Sequence, residues 1–182
     1  MFRFSTGFLS IALGAALVSA AGAQTAPNIP VPPKPDFSSM KFFLGTWNCE
    51  SKSARRPTAA KSTVTSTMDP TGYWMTSVTK SPAVPWYQHD ATSWDYVTYD
   101  STTKRWIDMS YDDTGGYDFS QSEGWKGDTM IWKEVTYSKG ADLASSADNT
   151  VTKVSDKLQK FESSFTTTAG KTVGVTGSCT KV

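Results

Sequence analysis

From Asp36 onward no window keeps an apolar i, i+3, i+4, i+7 stripe over three helical turns, whereas short runs alternating apolar and polar residues recur between turn signals. Ten such runs predict strands at 46–53, 62–68, 73–80, 93–100, 105–111, 116–123, 128–137, 150–156, 158–168 and 172–179. Between them, Asp69-Pro70-Thr71-Gly72, Asp112-Asp113-Thr114-Gly115, Lys126-Gly127-Asp128 and Ala169-Gly170-Lys171 supply the Asp, Pro and positive-φ Gly that tight reversals need. Evenly spaced strands joined as hairpins predict an all-β fold, an up-and-down antiparallel β-barrel of about ten strands, because closing the sheet removes its two edges. A short helical turn is expected around 38–43, capping one end.

Residues 1–23 stand apart from this pattern. Arg3 supplies a basic n-region, Phe8 to Val18 an apolar core and Ala21-Gly22-Ala23 a small-residue cleavage site, which predicts a secretory signal peptide and export to the periplasm or the extracellular space. The apolar run is too short to span a bilayer as a helix, and no Cys follows it to take a lipid, so no membrane anchor is expected after cleavage. Residues 24–35 are proline-rich and read as an extended linker. A single β-barrel domain is then expected over 36–182.

Composition changes this picture in one respect. From Gln24 on, Leu, Ile, Val and Phe number only 23 of 159 residues, a fraction that would suggest disorder in a highly charged chain. Here 18 Lys and Arg balance 17 Asp and Glu, and seven Trp and seven Tyr carry the apolar surface instead, so a folded chain with an aromatic core is the better reading. The same balance, with no basic run longer than Arg55-Arg56, gives a nucleic acid nothing to hold.

Cys49 and Cys179 are the two cysteines and fall in the first and last predicted strands. In an exported protein an even count favours a disulfide, and a barrel that closes by pairing those strands would be stapled at its seam. The alternative is a pair of free thiols, with no His or Lys beside either Cys in sequence.

Chemistry-bearing motifs are few. The string Ser-x-x-Lys occurs four times, at Ser38, Ser77, Ser101 and Ser178, without the companion motifs that give it meaning, and no Gly-x-Ser-x-Gly elbow is present. Asp108, Asp112, Asp113 and Asp118 cluster around Gly115-Gly116, where hard-cation binding and ordinary turn-forming Asp are both readings. Zinc sites have too few His and Cys ligands, and no cofactor is implied. The best enzymatic idea is a buried carboxylate acting as acid or base, Glu134 or Asp108. Trp74, Trp94, Trp106 and Trp132 lie in four predicted strands, and every second strand residue of a barrel faces inward, so these rings either fill a core or line a pocket.

The segment Phe42-Phe43-Leu44-Gly45-Thr46-Trp47 resembles the FLxGxW start of the bacterial DUF1579 family and the related start of nitrobindin-like and lipocalin-like (calycin) barrels. Gly72-Tyr73-Trp74, Tyr99-Asp100 with Arg105-Trp106, Asp112 to Gly116, and Gly124-Trp125 before Met130-Ile131-Trp132 are similar to that family's layout. The resemblance covers 42–132 and implies a barrel with a small-molecule-sized interior, in which Gly45 turns the chain into the first strand and Trp47 plugs the closed end. Nitrobindin-like barrels hold haem through a late His, and here no His follows His89. His89 remains a loop residue that either reaches a ligand or lines a rim.

Together these readings predict an exported barrel that holds a small hydrophobic or amphipathic ligand among Trp74, Trp94, Trp106, Trp132, His89 and Glu134. A cofactor-independent isomerase or hydrolase and a solid-cored envelope module are the alternatives.

Overall fold

The computed structural model arranges twelve strands and one 3-10 turn, and describes residues 29–56, 58–85, 88–137, 143–146 and 148–182. The expected signal peptide and residues 24–28 of the proline-rich segment lie outside the described residues. The chain divides into Met1–Pro32 and Pro33–Val182, and all the described helix and strand belongs to the second unit. In order these are the 3-10 turn η1 (Ser38–Phe43), β1 (Gly45–Ser53), β2 (Ala60–Met68), β3 (Met75–Ser81), β4 (Ala91–Asp100), β5 (Arg105–Asp112) and β6 (Tyr117–Ser122). The two-residue β7 (Trp125–Lys126) precedes β8 (Thr129–Tyr137), β9 (Leu143–Ser146), β10 (Asn149–Ser155), β11 (Leu158–Thr167) and β12 (Thr172–Lys181).

All ten strands read from the sequence are present, with ends moved by a few residues. The third begins at Met75 rather than Tyr73 because Asp69 N donates to Trp74 O at 2.8 Å, keeping 69–74 in the reversal. The additional strands are side branches: β7 pairs with β8, and β9 with β11.

Every main pairing is antiparallel and runs β1-β2-β3-β4-β5-β6-β8-β10-β11-β12. The circle closes where β12 pairs with β1, which places Cys49 directly opposite Cys179. The two form a disulfide across 130 residues of sequence. Cys49, Trp47 and Cys179 are all buried on the inner face of the wall. Beside the disulfide, Gly177 stands opposite Phe161 and Ser51. A Cβ there would run into Phe161 Cζ and come within 2.6 Å of the Glu50 carbonyl oxygen, so the seam needs a residue without a side chain.

One end of the barrel is plugged by η1. A 3-10 turn leaves carbonyls without backbone partners, and three side chains from the wall answer them. Trp47 Nε1 donates to Phe43 O at 2.9 Å, Trp125 Nε1 to Ser39 O at 2.9 Å, and Lys181 Nζ to Phe42 O at 3.1 Å. Apolar contacts complete the seal: Met40 is 1% exposed, Phe37 packs on Trp106 at 5.3 Å between ring centroids, and Phe43 stacks on Trp125 at 5.4 Å. Gly45, at φ 104°, makes the bend from η1 into β1 in a conformation L side chains rarely adopt.

Two measurements check the seam. Reducing Cys49–Cys179 should release an unfolded-state constraint worth about 4 to 5 kcal/mol on the chain-entropy model, lowering the melting temperature while far-ultraviolet circular dichroism stays sheet-like in the cold. Gly177→Ala should cost about 1 to 3 kcal/mol through overpacking, seen as a lower urea midpoint at unchanged slope.

Candidate ligand site in the barrel lumen

Alternation decides what the lumen contains. Registers carry the inner face from Trp47 and Cys49 through Val64 and Ser62 on β2, Thr79 on β3 and Ser93 on β4. Nearer the plug they run Ser66, Ser77, Asp95, Ser110 and Asp118, and Met68, Met75, Val97, Asp108, Ser120 and Glu134. The plugged end is therefore apolar, with Met75, Val97, Trp106, Met130, Trp132 and Val151 buried in one cluster with Phe37 and Met40. On the β4–β6 side, hydroxyls and carboxyls face inward.

A cavity of about 210 Å³ lies above the plug, with Met40, Phe43 and Trp47 in its floor. Its walls carry Val64, Ser66, Met75, Ser77, Thr79, Asp95, Val97, Asp108, Trp132, Asn149 and Gln159. Ser66 and Ser77 share a buried hydrogen bond of 2.8 Å. Two wall oxygens, Asp108 Oδ1 and Gln159 Oε1, are buried with no donor among the described residues.

The carboxyls perturb one another. Burial pushes Asp95 from 3.8 to about 7, with the charge of Asp118 acting in the same direction. Asp108 is raised well above its ordinary value, first by burial and then by Asp95, Asp118 and Glu134. Burial also raises Asp118, and a hydrogen bond with Ser110 opposes it.

The residues singled out from the sequence divide. Trp132, Asp108 and Trp47 line the cavity, and Glu134 faces the same lumen close enough to act on Asp108. Trp106 is buried but sits against Phe37 and Tyr99 beside the plug, outside the cavity lining. Trp74 lies in the reversal before β3. Trp94 is on the outer face of the wall, where an inward position was expected. Its neighbour Asp95 points in, so Trp94 must point out, where it stacks on Tyr111 at 5.1 Å and Tyr96 stacks on the same ring at 6.2 Å. His89 is 54% exposed at the rim opposite the plug, 3.5 Å from Asp113.

The acidic cluster read from the sequence also splits by face. Asp112 accepts from Thr114 N, Thr114 Oγ1 and Gly116 N, and Asp113 accepts from Thr92 N, so these two build turns. Asp108 and Asp118 face the lumen. Among the described residues no group of three or more His, Cys, Asp or Glu is placed to hold a metal ion. Asp95 was missed because it sits between Trp94 and Tyr96, where alternation alone suggests that the aromatic rings are the buried set.

No protein-family model matches the sequence, and no curated protein matches it. Among solved structures, a protein of unknown function from the DUF3598 family of Nostoc punctiforme is similar at TM-score 0.54 and 14% identity over 83% of this chain. The match takes up 51% of that protein, so this chain spans about half its length. The structure of EF1p2_mFAP2b bound to DFHBI (TM-score 0.41, 10% identity, 79% of this chain and 97% of that one) and the S-type phycobiliprotein lyase CPES from Guillardia theta (0.45, 9%, 81% and 98%) are more distant. The fold is a closed ten-stranded antiparallel up-and-down β-barrel, consistent with the calycin-like architecture expected from the sequence.

The raised carboxyls set a pH dependence. Between the unfolded value of 3.8 and the folded value of about 7 for Asp95, the native state keeps a proton that the unfolded chain has lost. Its contribution to stability is therefore full below about pH 4 and declines as pH rises through about 7. Asp95→Asn should match the parent near pH 4 and melt higher than it near pH 8. A difference that does not widen with pH in thermal melts would contradict the burial of this carboxyl.

Proposed function

We propose that this chain is an exported barrel that binds a small amphipathic molecule in its lumen. The observation that carries the reading is the cavity of about 210 Å³, floored by Met40, Phe43 and Trp47 and walled in part by Ser, Thr, Asp, Asn and Gln. A solid-cored structural module would place close-packed side chains there, and buried acceptors without donors are what a bound polar molecule would satisfy. The volume lies below the ~300 Å³ at which drug-sized pockets begin, which favours a ligand shorter than a fatty acid or a retinoid. The disulfide belongs with an oxidising compartment and with the signal peptide read in residues 1–23. The start Phe42 to Trp47 supports placing the chain beside the DUF1579 barrels.

A second reading is favoured by one observation, the raised carboxyls: burial pushes Asp95 up to about 7 and holds Asp108 well above its ordinary value, which is how a carboxyl is tuned to serve as general acid or base. A cofactor-independent isomerase or hydrolase would use them on the same bound molecule. Turnover abolished in Asp108→Asn with ligand affinity intact would identify it.

Trp47 and Trp132 both line the cavity, so occupancy should change intrinsic fluorescence. Titration with small amphipathic compounds of both charges and of none should give a saturable change with at least one class, smaller in Trp132→Phe. A flat response across the panel, with no shift of lumenal amide resonances, would exclude a lumenal binder.

A further inference from the structure

The polar groups of the lumen are one-sided. Asp95 and Asp108 line the cavity, Asp118 and Glu134 act on Asp108 from the adjoining strands, and no Lys, Arg or His is among the described residues around it. Independently of charge, Asp108 Oδ1 and Gln159 Oε1 are buried acceptors that receive no hydrogen bond from the described residues. A molecule that completes this wall must bring N–H or O–H donors, and positive charge on it would also answer the carboxyls. The indole of Trp132 stands in the same lining and is a π-system of the kind that attracts cations, whereas the Trp47 ring already carries Lys181 Nζ at 5.0 Å and contributes apolar surface. A bare metal ion is a poor fit, since no suitable ligand group converges among the described residues. A cavity of about 210 Å³ asks for a compact organic molecule.

We propose that the lumen takes a small organic ammonium ion, a primary amine on an apolar stem, with its NH₃⁺ hydrogen-bonded to Asp108 and Gln159 beside Asp95 and its stem against Trp47, Trp132 and Met75. The proposal rests on the lumenal-binding reading above and narrows it to one charge class. N–H donors are what distinguish this ligand from a quaternary ammonium, which has the charge but cannot satisfy the two open acceptors.

Proton exchange follows from the surroundings of the carboxyls. Facing Asp95 and Asp108 are Asp118 from β6 and Glu134 from β8, while β2, β3, β10 and β11 present the neutral Ser66, Ser77, Thr79, Asn149 and Gln159. With acids but no base nearby, Asp95 is pushed up to about 7 and Asp108 is raised in the same direction, and an arriving ammonium favours the ionised form of both. Binding should then release protons and tighten as pH rises toward 7, by up to about tenfold per unit for each proton released.

The experiment compares 2-phenylethylammonium with 2-phenylethanol, phenylacetate and the N-trimethylated ammonium, by calorimetry in two buffers of different ionisation enthalpy and by Trp fluorescence. Expected is preference for the primary ammonium over the alcohol by at least about tenfold, with buffer-dependent heats that report proton release. Asp108→Asn and, separately, Asp95→Asn should each weaken the ammonium by at least about tenfold more than they weaken the alcohol, since only the ammonium loses a charged partner. Equal binding of ammonium and alcohol, or preference for phenylacetate, overturns the cation class and leaves lumenal binding standing. Equal binding of the primary and trimethylated ions overturns the hydrogen-bonded placement. No binding of any of the four, with no lumenal resonance shifted, overturns both readings at once.

Discussion

Closure of the sheet between its first and last strands is the constraint on which everything else depends. Nine of the ten main pairings join neighbours along the barrel path through reversals or short connections, and each could form as a local event. The pairing of β1 with β12 cannot, because it brings Cys49 against Cys179 across 130 residues. Without it two edges would be open and the inner faces of Trp47, Cys49 and Cys179 would meet water. The disulfide and the bare backbone of Gly177, over which Phe161 lies, are the covalent and steric devices that let this seam close tightly.

The plug makes a cavity out of a cylinder. Indole N–H groups of Trp47 and Trp125 and the Lys181 ammonium bind the carbonyls that η1 cannot satisfy itself, so an apolar cap is held by polar bonds at its margin. Above it, the wall changes character from Met75, Val97 and Trp132 to Asp95, Asp108, Asp118 and Glu134. Burying carboxyls beside one another opposes their ionisation, and a chain folding for stability alone has no need of them there. Their concentration on one side of a cavity, with acceptors left open, separates this interior from a core that is simply full.

The outer face of β4–β6 shows the complementary inversion. Trp94, Tyr96 and Tyr111 stack across neighbouring strands on the outside, where cross-strand aromatic pairs stabilise the ladder. Each outward ring leaves its sequence neighbours to face in, and on β4 and β5 those neighbours include Asp95, Val97 and Ser110. Trp94, Tyr96 and Tyr111 therefore support the wall from without, Tyr99 and Trp106 pack inward beside the plug, and the rings that line the cavity come from β1, β8 and η1.

What the amino-acid sequence determined by itself was everything local: ten alternating runs, the Asp- and Gly-bearing reversals between them, the short helical turn at 38–43 and the placing of one Cys in each terminal strand. Period-2 alternation is a property of the strand and is visible in any single run, and an even number of cysteines at the two ends of an up-and-down meander has only one seam to bridge. The side of the wall each alternating set occupies is different in kind. Trp94-Asp95-Tyr96 alternates equally well with rings or carboxyl inside, and only register with Ser77 and Ser110, carried strand by strand from the buried Trp47 and Cys49, decides for the carboxyl. The same register divides Asp108 and Asp118 from Asp112 and Asp113, which are near in sequence but do different work. A binding site in a barrel is assembled from inward positions of many strands, so its chemistry was settled by the closed tertiary structure.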